Sequence, residues 1–301
     1  MFKIGIECES IEDQSWGVGR IVKKLLEEIS KRPELQKEFK FFLYFKSRVP
    51  PLAFLDNPIF VKKVVRLSFL PPSFSLYYYF FLPAKLYLEK LDLMFFPNYM
   101  LPVIFRGKSL VMLTEDVYYE FKEGTLPFRY RLAYKIFANW AAKHATKIMV
   151  ISETSKKEVA RLFKINPERI VVNILGIDPP KKLTGNWKLS RLYRGSSIAL
   201  RSGETGNYLL YVGQAFPSRH LKETMLAFEI IADSAKSAKM PFVLQRASLQ
   251  LIVVGKDKYN PPVIEGLKNK INHHLGYDGI IQKEYVLEDE LQELYAGARA
   301  L

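Results

Sequence analysis

The sequence predicts an α/β protein made of two Rossmann-like, doubly wound parallel-sheet domains. Three observations favour this fold class. The chain has 301 residues, more than one hydrophobic core usually supports. Short apolar runs alternate with helical patterns, as in a parallel sheet with helices on both faces. In the second half, the uncharged run Tyr208–Val212 stops at Gly213 and a helical pattern follows Pro217. That order indicates a strand, a tight turn and a helix.

The first half contains seven apolar runs that we expect to be strands. They are Phe2–Glu7, Phe39–Phe45, Phe60–Val65, Leu93–Phe96, Leu110–Leu113, Ile148–Ile151 and Ile170–Ile174. The spacing of apolar residues predicts helices over Val18–Ser30 and Phe128–His144. A further helix is expected after Ser152, because Ser155 and Glu158 have the spacing of a capping box.

Paired prolines mark the end of the first domain. Neither Pro179 nor Pro180 can continue a strand or a helix, so we expect this domain to cover residues 1–180. Residues 181–206 are rich in Lys, Arg, Ser and Gly and predict a linker. The second domain then covers 207–301. It has two further strands, Leu249–Val254 and one near Ile280, and helices over Pro262–His274 and Leu287–Ala298. These elements amount to half of a doubly wound domain.

Composition and charge limit the compartment and the partners. Cys8 is the single cysteine, so no intrachain disulfide can form, and the N-terminus shows no signal-peptide pattern. The cytoplasm is the expected compartment. A formal net charge of +14 favours an anionic partner, which leaves nucleotide phosphates, a membrane surface and nucleic acid open. Nucleic acid is the weakest of these because no reading module and no basic stripe with stacking aromatics is evident.

An aromatic stretch of eighteen uncharged residues lies between Arg66 and Lys85. Prolines near both of its ends argue against a transmembrane span. Two interpretations stay open for the short helix that it predicts. The helix either packs on the sheet as part of the core, or it lies in the interface of an anionic bilayer with lysines beside the headgroups.

Glycine turns before two of the helices are candidate anion sites. The turn that begins at Gly213 carries Arg219 at its tip, where free N–H groups, a helix dipole and a guanidinium would favour a phosphate. Gly17 and Gly19 open the first helix in a similar way. An ordinary turn into a helix is the alternative at both places. A dinucleotide fingerprint would need a third glycine at Val22, so an oxidoreductase is not favoured.

The sequence does not predict a metal site. The four histidines are poorly spaced, the adjacent pair His273 and His274 points to different sides of a helix, and no cysteine ligands accompany them. The acidic run Glu288-Asp289-Glu290 opens a helix, where carboxylates complement the dipole.

Seven short motifs, each present once, follow one another along the whole chain. They are Gly17-Val18-Gly19-Arg20, the segment from Asn98 to Pro102, Thr114-Glu115-Asp116, Val150-Ile151-Ser152-Glu153, Leu175-Gly176-Ile177-Asp178, Tyr211-Val212-Gly213 with Arg219, and the segment from Leu291 to Ala298. Together they resemble glycosyltransferase family 4, a group of nucleotide-sugar-dependent enzymes of GT-B architecture, in which two Rossmann-like domains face each other.

The resemblance implies a retaining, metal-independent transferase that needs no cofactor. Such an enzyme moves a hexose from a nucleotide-diphosphate sugar to a glycan or lipid-linked acceptor, as in polysaccharide biosynthesis, and is expected in the cytoplasm or as a peripheral protein at the inner face of the membrane. The roles that the resemblance implies are catalysis for Glu115 and Asp116, a phosphate or acceptor loop at Gly17 and Gly19, and donor binding for Gly213, Arg219, Gly255, Tyr285 and Val286.

Three positions depart from the family pattern. Glu115 stands where a histidine is usual, Ser218 occupies the arginine position of the family's Arg-Lys pair, and Glu284 replaces a glycine. The alternative function is therefore a non-catalytic nucleotide- or sugar-binding module. The family's next segment carries two glutamates that contact the donor, and this sequence ends before it. We accordingly expect an incomplete second domain with an exposed strand edge, and no measurable transferase activity from residues 1–301 alone.

Overall fold

Two structural units make up the chain, Met1–Gly176 and Ile177–Leu301. The computed structural model describes residues 1–12, 17–66, 73–115, 118, 128–176, 208–236 and 249–301. The predicted linker 181–206 lies outside the described residues.

A seven-stranded sheet forms the centre of the first unit. Its strands are β1 (Phe2–Glu7), β2 (Phe39–Phe45), β3 (Phe60–Val64), β4 (Leu93–Phe96), β5 (Ser109–Met112), β6 (Lys147–Val150) and β7 (Ile170–Val172). They lie in the order β3-β2-β1-β4-β5-β6-β7, and every pairing is parallel. The order reverses at β1. A crevice outside the carboxyl ends of β1 and β4 is therefore the expected place for a ligand in this unit.

Helices cover both faces of this sheet. They are α1 (Val18–Ser30), α2, α3 (Phe128–His144) and α4 (Glu153–Phe163). We use α2 for three continuous segments, the α-helical Phe74–Leu76, the π-helical Tyr77–Phe81 and the α-helical Leu82–Leu88. One core cluster gathers buried residues of α2, α3 and α4 on one face, and a second gathers those of α1 on the other.

The start of α4 corrects the predicted capping box. The hydroxyl of Ser152 accepts a hydrogen bond from the Ser155 backbone N–H at 3.0 Å, so Ser152 is the N-cap. Ser155 lies in the first turn rather than at the cap. An N-cap hydroxyl satisfies one of the free N–H groups of the helix start, which explains why the helix begins here.

The second unit contains a three-stranded parallel sheet in its described part. Strands β8 (Tyr208–Val212), β9 (Gln250–Val254) and β10 (Ile280–Lys283) lie in the order β10-β9-β8. Helices α5 (Leu221–Lys236) and α6 (Ile264–Leu275) pack on one face, and α7 (Glu288–Gly297) packs on the other. The predicted fold class, two Rossmann-like parallel-sheet units, is confirmed.

One bridge pairs the outer edge of β8 with Ala300, and the rest of this edge has no strand partner among the described residues, in line with the expected incomplete sheet. Leu209 and Ala300 form a parallel bridge, and the Leu210 N–H donates to the Ala300 carbonyl at 2.9 Å. Since β9 lies on the opposite side of β8, the strand order of this unit reverses at β8 as it does at β1. The carboxyl end of β8, at Gly213, is therefore the expected ligand position.

The backbones of Gly213 and Gly255 meet at the carboxyl ends of β8 and β9. A Cβ atom on Gly255 would lie 1.8 Å from the carbonyl oxygen of Gly213, and its φ is +158°. Both the steric contact and the backbone conformation require glycine. The neighbouring Gly213 N–H donates to the Val254 carbonyl at 2.9 Å.

We expect Gly255→Ala to destabilise the second unit by about 3 kcal/mol, because two backbones would have to separate. Gly266→Ala is the control: nothing lies within 4 Å of the position of its Cβ. In α6 this change should be neutral or stabilising by up to about 1 kcal/mol. Urea unfolding followed by circular dichroism measures both. Equal stability of the two variants would contradict the steric argument.

Candidate functional site

Arg219 lies over the turn that follows β8. A short 3-10 turn, Pro217–Arg219, leads from that strand into α5. One guanidinium nitrogen of Arg219 is 3.0 Å from the position that a Cβ on Gly213 would occupy, and its Cζ is 5.7 Å from the ring centre of Phe216. The side chain is exposed. The predicted Gly213 and Arg219 are therefore brought together at the carboxyl end of β8.

Polar groups without partners surround this turn. The hydroxyl of Tyr211 and Oε1 of Gln214 are buried and have no hydrogen-bond partner among the described residues. Burial raises the pKa of the Tyr211 hydroxyl, and the nearby Arg219 opposes that rise. Within the described ranges, no carboxylate forms an ion pair with Arg219. The turn thus presents one exposed cation to an anionic ligand, and two buried polar atoms that lack a described partner lie beneath it.

The ends of β9 and β10 complete this edge of the sheet. Lys256, next to Gly255, lies 3.7 Å from a carboxylate oxygen of Glu284, and both side chains are more than half exposed. Tyr285 is 41% exposed, whereas Val286 is 6% exposed and packs in the core beneath α7. The Val286 side chain therefore belongs to the hydrophobic core, and only its backbone could contact a ligand.

Gly17 and Gly19 have different surroundings at the start of α1. Gly17 has φ +43°, and no atom of the described residues lies within 4 Å of the position of its Cβ, so this side of the backbone is open towards them. Gly19 is buried within the first turn of the helix. We therefore assign close packing to Gly19, and of the predicted pair only Gly17 has the open backbone that a ligand needs.

Glu115 is held at the start of α4. Its Oε1 accepts a hydrogen bond from the Ser155 hydroxyl at 2.8 Å, while Oε2 is buried without a partner among the described residues. A carboxylate near a helix N-terminus is favoured by the helix dipole. Asp116, predicted to work with Glu115, lies outside the described residues.

A buried carboxyl group that the sequence analysis missed lies at the end of β1. Glu7 is fully buried and accepts hydrogen bonds from the Glu9 N–H at 2.7 Å and the Tyr77 hydroxyl at 3.3 Å. Burial raises the pKa of Glu7 to about 8, against the hydrogen bonds from Glu9, Tyr78 and Tyr77, which lower it. Asn98, at the end of β4, donates to the Tyr78 hydroxyl at 3.0 Å. A single acidic residue ending an apolar strand was the available signal.

The described residues hold no group of three or more His, Cys, Asp or Glu side chains arranged to bind a metal ion. Within the same ranges, no helix is long and apolar enough to cross a bilayer.

No family model matches the chain, and no curated protein matches its sequence. Solved structures do match its fold. HepE from Anabaena, solved with UDP and glucose, is 14% identical with a TM-score of 0.57, over 99% of this chain and 73% of its own. A trehalose-6-phosphate synthase, studied for glycosyl transfer with retention, is 12% identical with a TM-score of 0.55, over 99% and 76%.

A third similar structure has a different chemistry. It comes from Listeria monocytogenes, is assigned as a UDP-N-acetylglucosamine 2-epimerase, and is 9% identical with a TM-score of 0.54, over 99% of this chain and 72% of its own. At these identities the similarity shows the GT-B fold. The chemistry of this chain has to be argued from its own residues.

The raised pKa of Glu7 predicts a pH-dependent stability. The folded state holds the Glu7 proton more tightly than an unfolded carboxyl of pKa 4.5 does. The contribution of protonated Glu7 to the free energy of unfolding is therefore fully present below pH 4.5 and is lost as the pH rises towards about 8. We expect Glu7→Gln to remove this loss, so that the variant gains stability relative to wild type between about pH 5 and pH 8.5. Urea unfolding at several pH values measures the difference. A difference independent of pH would contradict the assignment.

Proposed function

We propose that the protein is a glycosyltransferase of the family 4 kind, which moves a hexose from a nucleotide-diphosphate sugar to an acceptor with retention of anomeric configuration. The observation that carries this proposal is Arg219 over the Gly213 turn. A guanidinium without a carboxylate partner among the described residues lies where a parallel sheet presents its ligand site. It also lies beside the start of a sixteen-residue helix.

The chemistry of the leaving group explains what this turn would do. Breaking the bond between the sugar and the diphosphate leaves negative charge on the diphosphate. A guanidinium and oriented N–H groups stabilise that charge as it develops. We propose that Arg219 carries this part of the reaction, supported by the backbone around Gly213, and that the reaction needs neither a metal ion nor a cofactor. Gly255, Tyr285 and the backbone of Val286 line the rest of the donor site in this proposal.

Glu115 is the candidate polar group of the first unit. Its Oε1 is occupied by Ser155, so the carboxylate is fixed in position, and Oε2 is left to accept a hydrogen bond from a hydroxyl of the sugar or the acceptor. Asp116 would act beside it. Gly17 would bring the backbone close to the acceptor, which we propose to be a glycan or a lipid-linked saccharide made on the cytoplasmic side of a membrane.

The second candidate is a non-catalytic nucleotide-sugar-binding module. Two observations favour it. The Ser155 bond gives Glu115 a structural role at the start of α4, and Glu284 is paired with Lys256. Both candidates require binding of the nucleotide diphosphate, and turnover separates them. The protein, incubated with donor and acceptor, should release the nucleotide diphosphate if it is a transferase. Tight binding without release would identify the module.

Arg219→Ala should weaken binding of UDP, ADP or GDP, whichever binds best, by about 1.5–3 kcal/mol, roughly ten- to a hundredfold. The fold should survive because the side chain is exposed. Arg219→Lys should recover part of the affinity, since a point charge remains without the planar fork. Calorimetric titration gives the affinities.

Arg32→Ala is the matched control for this titration, because Arg32 is an exposed arginine of the first unit. The variant removes one positive charge at a position distant in sequence from the Gly213 turn, and it should leave the affinity for the nucleotide diphosphate unchanged. If both alanine variants lose affinity equally, the loss reflects net charge and Arg219 is not the phosphate ligand.

A further inference from the structure

Helices α2 and α3 lie side by side on one face of the first sheet. Their buried residues belong to the same core cluster, and the rings of Tyr79 and Phe137 are 5.3 Å apart between centroids. Because both helices bury one side against the same sheet face, their opposite sides point outward together.

The outward side of α3 combines aliphatic and cationic side chains. Leu132, Lys135, Ile136, Asn139 and Lys143 are all exposed, and their spacing places them on one stripe of the helix. Leu132 is 47% and Ile136 48% exposed. The sequence of this helix contains no acidic residue. A helix that only covers a sheet usually has a polar, mixed-charge outer stripe, so this composition needs another explanation.

The outward side of α2 extends the same surface. Phe80 is 62% exposed, and Tyr87, seven residues further on, is 89% exposed. Tyr77, Tyr78 and Leu82 on the opposite side are at most 1% exposed. One side of the helix is therefore core, as the first interpretation of the aromatic stretch expects, and the other side leaves a large apolar surface exposed.

The loop 103–108 adds a third segment. Ile104 is 63% exposed, and Arg106 and Lys108 are exposed. The guanidinium of Arg106 lies 5.9 Å from the ring centre of Trp140, which joins this loop to α3. We call the outward residues of α2, α3 and this loop the basic apolar face.

The cations of this face are available for a partner. Lys108, Lys135 and Lys143 form no ion pair with any described residue. The carboxylate of Glu89, at the end of α2, is occupied by Lys63 and Lys85. The face therefore presents positive charge and apolar area with little opposing negative charge.

We propose that the basic apolar face docks the protein on an anionic lipid bilayer. Apolar side chains gain free energy by entering the boundary between headgroups and acyl chains, while lysines stay with anionic headgroups. A nucleic acid would satisfy the cations but would leave the aliphatic Leu132, Ile136 and Ile104 without a partner, since it offers flat bases and phosphates. This proposal rests on the proposed function in one respect: docking would bring the enzyme close to a lipid-linked acceptor. Binding to the bilayer itself does not require sugar transfer.

Sedimentation with vesicles tests the proposal. The protein should bind vesicles of phosphatidylcholine with about 30% phosphatidylserine, bind pure phosphatidylcholine much less, and be released as salt rises. The double variant Lys135→Glu/Ile136→Gln should lower the partition coefficient on the order of tenfold or more. Ile136→Gln alone should lower it severalfold, because insertion of the apolar side chain contributes in addition to charge.

The matched control is Lys270→Glu/Ile230→Gln in the second unit. Both positions are exposed and helical, and the substitutions change the net charge and the exposed apolar area in the same way. It should bind vesicles like wild type. Equal losses in the two double variants would overturn the proposal, as would a wild-type protein that ignores anionic vesicles. A third outcome would also overturn the proposal. If Ile136→Gln leaves the vesicle partition coefficient unchanged, and lysine variants lose binding to vesicles and to RNA alike, the face is a general polyanion site. Because nucleotide binding is measured separately, failure here leaves the donor site untouched.

Discussion

The second unit depends on an approach of two backbones that leaves no room for a side chain. A Cβ atom on Gly255 would lie 1.8 Å from the Gly213 carbonyl oxygen, so only glycine lets the carboxyl ends of β8 and β9 approach this closely. The turn after β8 is thereby fixed against its neighbour, and Arg219 lies directly over it. A rigid turn is suitable for binding a phosphate, because its backbone loses little conformational entropy when the ligand binds. The pairing of Ala300 with β8 adds the reversal of strand order that marks ligand sites in such sheets.

The first unit places its polar groups by the same rule. Glu7 ends β1, Asn98 follows β4 and Glu115 follows β5, so all three lie at or just beyond the carboxyl ends of parallel strands. Their environments separate their roles. Glu7 is fully buried, carries a raised pKa and connects to the tyrosines of α2, whereas Glu115 is only partly buried and keeps one oxygen without a described partner. Glu7 is suited to ordering the π-helical segment Tyr77–Phe81, whereas Glu115 keeps an oxygen that can still accept a hydrogen bond.

Strands and helices were predictable because their apolar periodicity is strong. Six predicted elements have the bounds of the structure, namely Phe2–Glu7, Val18–Ser30, Phe39–Phe45, Leu93–Phe96, Phe128–His144 and Tyr208–Val212. Other elements differ by one to two residues at ends that are set by hydrogen bonds, which periodicity does not report. Register and edge pairing depend on long-range contacts, which explains why the Leu209–Ala300 bridge was missed. The burial of Glu7 depends on α2, far along the chain, and that of Val286 depends on β8 and β9 as well as on the adjacent α7. Gly255 ended a predicted strand, but its contact with Gly213 is visible only when β8 and β9 are side by side.

The most direct test of the account is the change in thermal stability of the protein with a panel of nucleosides, nucleoside monophosphates, nucleoside diphosphates and nucleotide sugars. A ligand that binds the folded state alone raises the melting temperature in proportion to its binding free energy. If the Gly213 and Arg219 turn binds a diphosphate, the diphosphates and sugar nucleotides of one base should raise the melting temperature, the monophosphate should do so less, and the nucleoside hardly at all. Equal shifts for the nucleoside and its diphosphate, or no shift with any member of the panel, would contradict a phosphate site at this turn.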